Sequence, residues 1–467
     1  MLGGKLGHLI RSLTLRGWNR EQPDCVSVSV IARDESAGRR DVTARDGQGR
    51  VAGGGWSRRG VLAGLIGAPV LLLAACNDNS GGSGGGNGGS GGGGANGGAG
   101  GSGGGSAPKT SAAVITVSPA DGTTGASFSE PVKVTVSNGT LSAVKVTDST
   151  GKELAGQLSS DNTSWTSAAA PASGTKYSVT ASGVDKDKLE ADANATFTTA
   201  TPANTFVGYF TPEDGSVVGV GMPVSINFSK PITDKKAVQS AISVIAEPGV
   251  EIVGHWFSST RLDFRPQEYW AKGTKVTLKL RLKDVEGAKG VYGTQSKDVS
   301  FTIGRAQTSV ADLGTKKLTV TTDGQVSAVY KISGGAPEHT TWGGKMVISE
   351  QFTQTRMNSQ TVNLGSEYDI ADVPHAQRLT TSGTFIHGNY WSSPSIFGGQ
   401  NTSHGCVGLQ DAKGASDSST DGYKFYKSSM IGDVVEVVNS GDKTVAPDNG
   451  LNGWNLSWAD WKAGSAV

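Results

Sequence analysis

Lys317-Leu318-Thr319-Val320-Thr321-Thr322-Asp323-Gly324-Gln325-Val326-Ser327-Ala328-Val329-Tyr330-Lys331-Ile332-Ser333 decides the fold class of the C-terminal part of the chain. Apolar and polar residues alternate on both sides of Asp323-Gly324, and Asp-Gly between two such runs is a strong hairpin signal. Further strands are expected at Thr361-Val362-Asn363-Leu364, Gly383-Thr384-Phe385-Ile386-His387 and Asp433-Val434-Val435-Glu436-Val437-Val438, and one helix from Ala412 through Lys427. Residues 306–440 therefore read as a mostly β domain with one helix, followed by an extension, 441–467.

Upstream, short alternating stretches such as Val132-Lys133-Val134-Thr135-Val136 and Val276-Thr277-Leu278-Lys279-Leu280 are separated by Gly, Pro, Asp and Asn turns. That period and spacing predict antiparallel β-sandwiches. An internal repeat divides the region into related modules, 110–203 and 204–305. Pro119-Ala120-Asp121-Gly122 recurs as Pro212-Glu213-Asp214-Gly215, Gly174-Thr175-Lys176 as Gly273-Thr274-Lys275, and Phe197-Thr198 as Phe301-Thr302. No Cys…Trp…Cys spacing is present, so any immunoglobulin likeness is one of architecture. Trp165, Trp256 and Trp270 suit either a carbohydrate-stacking surface or the sandwich cores.

The N-terminal portion reads as a delivery system. Residues 1–57 are polar and lack a hydrophobic period, as expected of an unstructured extension or an upstream start codon. Trp56-Ser57-Arg58-Arg59 then leads into an apolar run ending Leu71-Leu72-Leu73-Ala74-Ala75-Cys76. A positive flank, a short apolar core and small residues at its end predict a secretory signal over 58–76, since a membrane span needs about 20 apolar residues. The paired arginines fit either the general or the twin-arginine export route. Residues 77–109, almost pure Gly with Ser and Asn, predict a flexible tether with an end-to-end distance of roughly 30 Å.

Composition narrows the function. With 18% charged residues and a formal net charge of +1, binding to nucleic acid is not expected. Cys25, Cys76 and Cys406 are too few and too far apart for a disulfide framework or a structural zinc site, and no metal or cofactor is expected. The reactive side chains instead crowd into Phe385-Ile386-His387-Gly388 and Asn401-Thr402-Ser403-His404-Gly405-Cys406-Val407-Gly408-Leu409. If Cys76 is modified and all before it removed, Cys406 is the one thiol left. Its small flanking residues are poor core material, but they suit a tight turn whose backbone N–H groups face a developing oxyanion. A free thiol with a pKa near 8.5 needs a base at neutral pH. His404 lies close in sequence, while His387 ends a strand, the usual source of a spatially assembled base. His387 is favoured as base and His404 as a supporting, substrate-facing residue.

His387-Gly388 followed by Ser403-His404-Gly405-Cys406 resembles the HG…SHGC signature of the L,D-transpeptidases, enzymes that cross-link peptidoglycan stem peptides. The tail Asp448-Asn449-Gly450-Leu451-Asn452-Gly453-Trp454-Asn455…Trp458-Ala459-Asp460-Trp461 resembles the C-terminal extension of the actinobacterial members with two Ig-like modules, and implies packing on the catalytic domain. Leu73-Ala74-Ala75-Cys76 is similar to the lipobox of bacterial lipoproteins, which implies a lipid-anchored, exported protein facing the cell wall.

The resemblance implies roles for individual residues. Cys406 is then the nucleophile, His387 the general base, and the Gly388 carbonyl orients the imidazole. Backbone amides near His404, Gly405 and Cys406 form the oxyanion hole, with Ser403 in the same turn. A lid tyrosine of the family is matched loosely by Tyr368 or Tyr390, and Trp391 is placed to wall the donor pocket. Gly408 departs from the pattern, since many members carry Arg or Asn there. The implied reaction takes donor and acceptor tetrapeptide stems through a thioester to a 3→3 cross-link, releasing D-alanine, with carbapenem-type β-lactams as inhibitors. A cysteine L,D-carboxypeptidase or endopeptidase remains the alternative, and a hydrolase needs no groove for a second amine. A wall-binding protein with an inactive site is the third reading.

Overall fold

The computed structural model describes residues 109–362 and 364–467. The expected N-terminal extension, the signal segment with Cys76, and the tether up to residue 108 lie outside the described residues. Within them the chain is mainly β.

Alternation builds the first sandwich. Lys176–Asp185 buries every second residue at its start, with Tyr177, Val179 and Ala181 inward, as the period of a strand requires. One four-stranded sheet runs in the order Val114–Ser118, Lys133–Ser137, Ser164–Ser167, Gly156–Leu158. The other runs Thr123–Ala126, Glu190–Thr199, Lys176–Asp185, Gly139–Asp148. The second module repeats the plan with two four-stranded sheets over 208–303, a three-stranded sheet and a short helix, Lys235–Ser240.

The repeat is physical as well as textual. Gly122 and Gly215 both take left-handed backbone, at φ 75° and 73°. The aspartate before each caps a neighbouring strand: Asp121 Oδ1 accepts from Thr196 N at 2.7 Å, and Asp214 Oδ1 from Ser300 N at 2.8 Å. Trp165, Trp256 and Trp270 are all buried. Trp256 Nε1 donates to Gln239 Oε1 at 2.8 Å and Trp270 Nε1 to Met222 O at 2.7 Å, so these rings are core and present no carbohydrate-stacking face.

The third region is one nine-stranded sheet. Its strands are β1 (Gln307–Asp312), β2 (Lys317–Thr322), β3 (Gln325–Ser333), β4 (Gly344–Val347), β5 (Glu350–Asn358), β6 (Asp369–Arg378), β7 (Phe385–Asn389), β8 (Val407–Gln410) and β9 (Val434–Val438), in the order β4-β9-β1-β2-β3-β8-β7-β6-β5. Asp323 and Gly324 both adopt positive φ, 50° and 82°, which is the two-residue turn that the hairpin predicts. Long β3 joins the halves: its end pairs Ile332 with Leu409 and Ser333 with Gly408 of β8.

Two local expectations fail for identifiable reasons. Of the strand expected at 361–364, Thr361 and Val362 instead end a 3-10 turn, Ser359–Val362, and Asn363 lies outside the described residues. Asn358 Oδ1 accepts from Gln360 N and Thr361 Oγ1 donates to Asn358 O, so polar side chains turn the backbone before alternation can begin. The helix expected from Ala412 starts only at Asp421 and forms α1 (Asp421–Ser428). Gly414 and Ala415 have positive φ, 88° and 54°, and Thr420 accepts from Tyr423 N as the N-cap.

The second module docks against the nine-stranded sheet region through very close backbone contact. Gly219 N donates to Ile431 O at 2.8 Å and Gly221 N to Gly432 O at 2.9 Å. A Cβ on Gly219 would lie 2.2 Å from Asp433 N, so only glycine admits this approach. The tail, with α2 (Trp458–Ala463), closes the joint. Asn452 Oδ1 accepts from Val347 N in β4, Trp454 Nε1 donates to Gly221 O, and Trp461 Nε1 donates to Val253 O. Arg265 of the second module stands among Trp454, Trp458 and Trp461, with its guanidinium carbon 4.6, 5.4 and 4.3 Å from the ring centres. Burial pulls its pKa down to about 10, which leaves it charged at neutral pH and attracted to the ring faces.

Trp461 is fully buried, so Trp461→Ala is expected to lower unfolding stability by about 3–5 kcal/mol. Urea denaturation followed by far-UV circular dichroism measures this. A loss under about 1 kcal/mol would contradict a clamping role for the tail.

Candidate active site

Strands β7 and β8 pair in parallel, with Ile386 opposite Val407 and His387 opposite Gly408. All five residues of β7 and the first three of β8 are buried, as expected of parallel strands covered on both faces. Cys406 immediately precedes β8. The pairing therefore carries the thiol to the strand that holds His387.

The surroundings set the charge states. Cys406 is half-buried against the cluster of Val373, Ala376 and Phe385. Its Sγ lies 3.4 Å from Phe385 N and 3.7 Å from Gly383 O. Burial pushes the thiol up to about 11, and the Phe385 N–H only partly opposes it. Burial likewise lowers the pKa of His387, with the Gly388 carbonyl and the Asp411 charge acting the other way. Thiol and imidazole are therefore both neutral at rest. His387 Nδ1 lies 2.8 Å from Gly388 O. A carbonyl only accepts, so Nδ1 carries the proton and Nε2 presents its lone pair.

A buried pair supports this arrangement from behind. His375 Nδ1 lies 2.7 Å from Asp411 Oδ2, both side chains almost wholly enclosed. Asp411 Oδ1 accepts from Ala412 N and Thr420 Oγ1. A Cβ on Gly388 would stand 2.0 Å from Asp411 Oδ2, so glycine there admits the carboxylate. Sequence reading missed His375 and Asp411; an acid directly after the Val407–Gln410 strand was the available signal.

The turn before Cys406 is tightly tied. Ser403 Oγ donates to Cys406 O at 2.6 Å and accepts from Gly405 N at 3.2 Å, while Gly405 has φ 107°. Ser403 N donates to Gly334 O, and Ala336 N to Ser403 O. Ser403 therefore shapes the turn, and its hydroxyl is already engaged.

Two cavities meet at this turn. The first, about 440 Å³, is lined by Cys406, His387, Trp391, Ile370 and Asn389 among others. The second, about 360 Å³, is lined by Gly405, Gly383, Ser382, Trp342 and His339 among others. Tyr368 and His404 line both and form the wall between them. Burial, with the nearby Cys406 and Glu367, holds the Tyr368 hydroxyl up at about 12, so it remains a donor.

The other expected residues separate. Trp391, 41% exposed, stacks on the His387 ring at 5.8 Å. Tyr390 turns aside and donates to Asp372 at 2.5 Å, and it is not among the residues lining either cavity. His404 contacts Glu367 at 3.1 Å. Beside Gly408, where a Cβ would have ordinary contacts with Asn389 and Ser333, the Asn389 amide supplies a polar group and donates to Ser392 Oγ.

Comparison with known proteins finds a bacterial Ig domain over 123–286 and an L,D-transpeptidase catalytic domain over 306–433. L,D-transpeptidase 2 of Mycobacterium tuberculosis (strain CDC 1551 / Oshkosh) is 33% identical over 356 residues, 75% of this chain and 85% of that protein. L,D-transpeptidase 5 of Mycobacterium tuberculosis (strain ATCC 25618 / H37Rv) is 31% identical over 360 residues, 76% of this chain and 77% of that protein. A solved LD transpeptidase in complex with imipenem is 27% identical, covering 49% of this chain and 97% of that one, with a TM-score of 0.42.

A thiol raised to about 11 is protonated throughout the neutral range. Alkylation of Cys406 by iodoacetamide, read on its own peptide, is therefore expected to keep climbing as pH rises toward that value. A plateau already at about pH 7 would show a preformed thiolate–imidazolium pair and contradict the neutral resting state.

Proposed function

This chain belongs to the L,D-transpeptidase family, enzymes of the acyltransferase type, and we propose that it forms 3→3 peptidoglycan cross-links through a Cys406 acyl-enzyme. The Cys406 sulfur attacks the carbonyl of the third residue, a diamino acid, of a donor tetrapeptide stem. His387 Nε2 takes the thiol proton as the carbon–sulfur bond forms, and the Gly388 carbonyl on Nδ1 steadies the imidazolium. Backbone amides of the His404-Gly405-Cys406 turn receive the oxyanion. The imidazolium then returns its proton to the leaving D-alanine amine, and a thioester remains.

In the second half, the side-chain amine of a neighbouring stem attacks the thioester. His387 takes a proton from that amine and returns it to the departing sulfur, closing the cycle. The single observation supporting transfer over hydrolysis is the pair of cavities on the two sides of the Gly405-Cys406 turn, divided by Tyr368 and His404. A carboxypeptidase or endopeptidase releasing stems to water would need one groove only.

Carbapenem-type β-lactams acylate the same sulfur in this reading, as the family likeness implies. In this reading, export and lipidation at Cys76 anchor the enzyme to the cell membrane, facing the cell wall.

Mass spectrometry of the full chain mixed with disaccharide-tetrapeptide tests the reading. A dimer lacking one D-alanine is expected; tripeptide alone would make the enzyme a carboxypeptidase. Cys406→Ala is expected to abolish product, His387→Ala to cut the rate about 10²–10⁴-fold, and His404→Ala to weaken it by about tenfold, the loss of one supporting contact.

A further inference from the structure

Beside the reacting pair, three donor side chains from separate loops converge at the edge of the second cavity. His404 Nε2 lies 3.1 Å and His339 Nε2 3.3 Å from the same atom, Glu367 Oε2. All three donor atoms fall within 4.8 Å of one another. His339 comes from the loop between β3 and β4, Glu367 from the residues just before β6, and His404 from the turn before Cys406.

The spacing is that of a coordination sphere. A tetrahedral zinc ion, with nitrogen at about 2.0–2.1 Å and oxygen at about 2.0–2.2 Å, holds its ligand atoms roughly 3.3 Å apart. Both nitrogen–oxygen edges already have that length, and turning the rings, whose centres are 4.9 Å apart, closes the third. Two imidazoles and one carboxylate form a borderline donor set that suits zinc, and three protein ligands leave a position open.

The loops are held where the donors need them. Ser403 N donates to Gly334 O and Ala336 N to Ser403 O, which ties the His339 loop to the His404 turn. Thr340 Oγ1 donates to Asp442, and Tyr368 N donates to Ser359 Oγ beside Glu367. The donors remain reachable from solvent, at 26% exposed for His339, 41% for Glu367 and 38% for His404. No close sequence spacing marks them, so only the fold assembles the set.

We propose that His339, Glu367 and His404 form a binding site for a divalent transition-metal cation of the zinc type at the edge of the second cavity. The site stands apart from the thiol, which supplies none of its three donors. It does not depend on the cross-linking reading.

Titration of the full chain with Zn2+ against a chromophoric chelator tests it. One equivalent is expected to bind, at least tenfold more weakly in His339→Ala and in Glu367→Gln, and with unchanged affinity in Cys406→Ala. Circular dichroism and thermal midpoint verify that the variants are folded, and Glu367→Gln preserves side-chain shape. Replacing Zn2+ with Co2+ is expected to give visible absorption that His339→Ala removes. Failure of the wild-type chain to take up an equivalent would overturn the site and leave the two histidines as plain hydrogen-bonding partners of Glu367. Uptake lost in Cys406→Ala but kept in His339→Ala would overturn it in favour of the thiol.

Discussion

Parallel pairing of β7 with β8 is the constraint on which the site depends. A parallel neighbour can be reached only by a crossover, so the chain must leave the end of β7, travel over the sheet and return to the start of β8. The segment 390–406 makes that journey, and Cys406 is its last residue before the strand resumes. Register then fixes the chemistry, because His387 faces Gly408 and Ile386 faces Val407. A slip of one residue would turn His387 to the opposite face of the sheet. The end of β3 guards against it by pairing with β8 from the other side.

Burial on both faces has an electrostatic price that shapes the mechanism. Taking the thiol and imidazole out of water disfavours both charged forms, so the resting pair is neutral and, in the proposed reaction, the proton moves during attack. In that proposed reaction the Gly388 carbonyl, 2.8 Å from Nδ1, orients His387 as the base. Asp411 lies behind Gly388, where its charge is engaged by His375, Ala412 and Thr420. Removing either member of that enclosed pair would leave the other without its main partner. At longer range, the Gly219–Gly221 contact with Gly432 and the Arg265–tryptophan cluster fasten the second Ig-like module to the catalytic sheet.

What could be read in advance follows the range of the forces involved. The 317–333 hairpin was legible because alternation and an Asp-Gly turn are local. The duplicated modules were legible because each copy repeats the same Asp-Gly cap. Cys406 and His387 stood out through residue chemistry and the HG…SHGC likeness. The 359–362 turn was misread because Asn358 and Thr361 redirect the backbone through side-chain hydrogen bonds that apolar patterning does not register. His375 with Asp411, Arg265 with Trp461, and His339 with Glu367 meet only after distant segments pack. Their separation in sequence hides them.

The central claim is that Cys406 carries the donor as a thioester, and it can be observed directly. Intact-protein mass spectrometry of the full chain, quenched with acid soon after mixing with a tetrapeptide donor, measures the covalent species. An adduct equal to the donor less one D-alanine is expected on Cys406, removable by hydroxylamine and missing from Cys406→Ala. Release of D-alanine at full rate by Cys406→Ala, or an adduct on a different residue, would contradict the account.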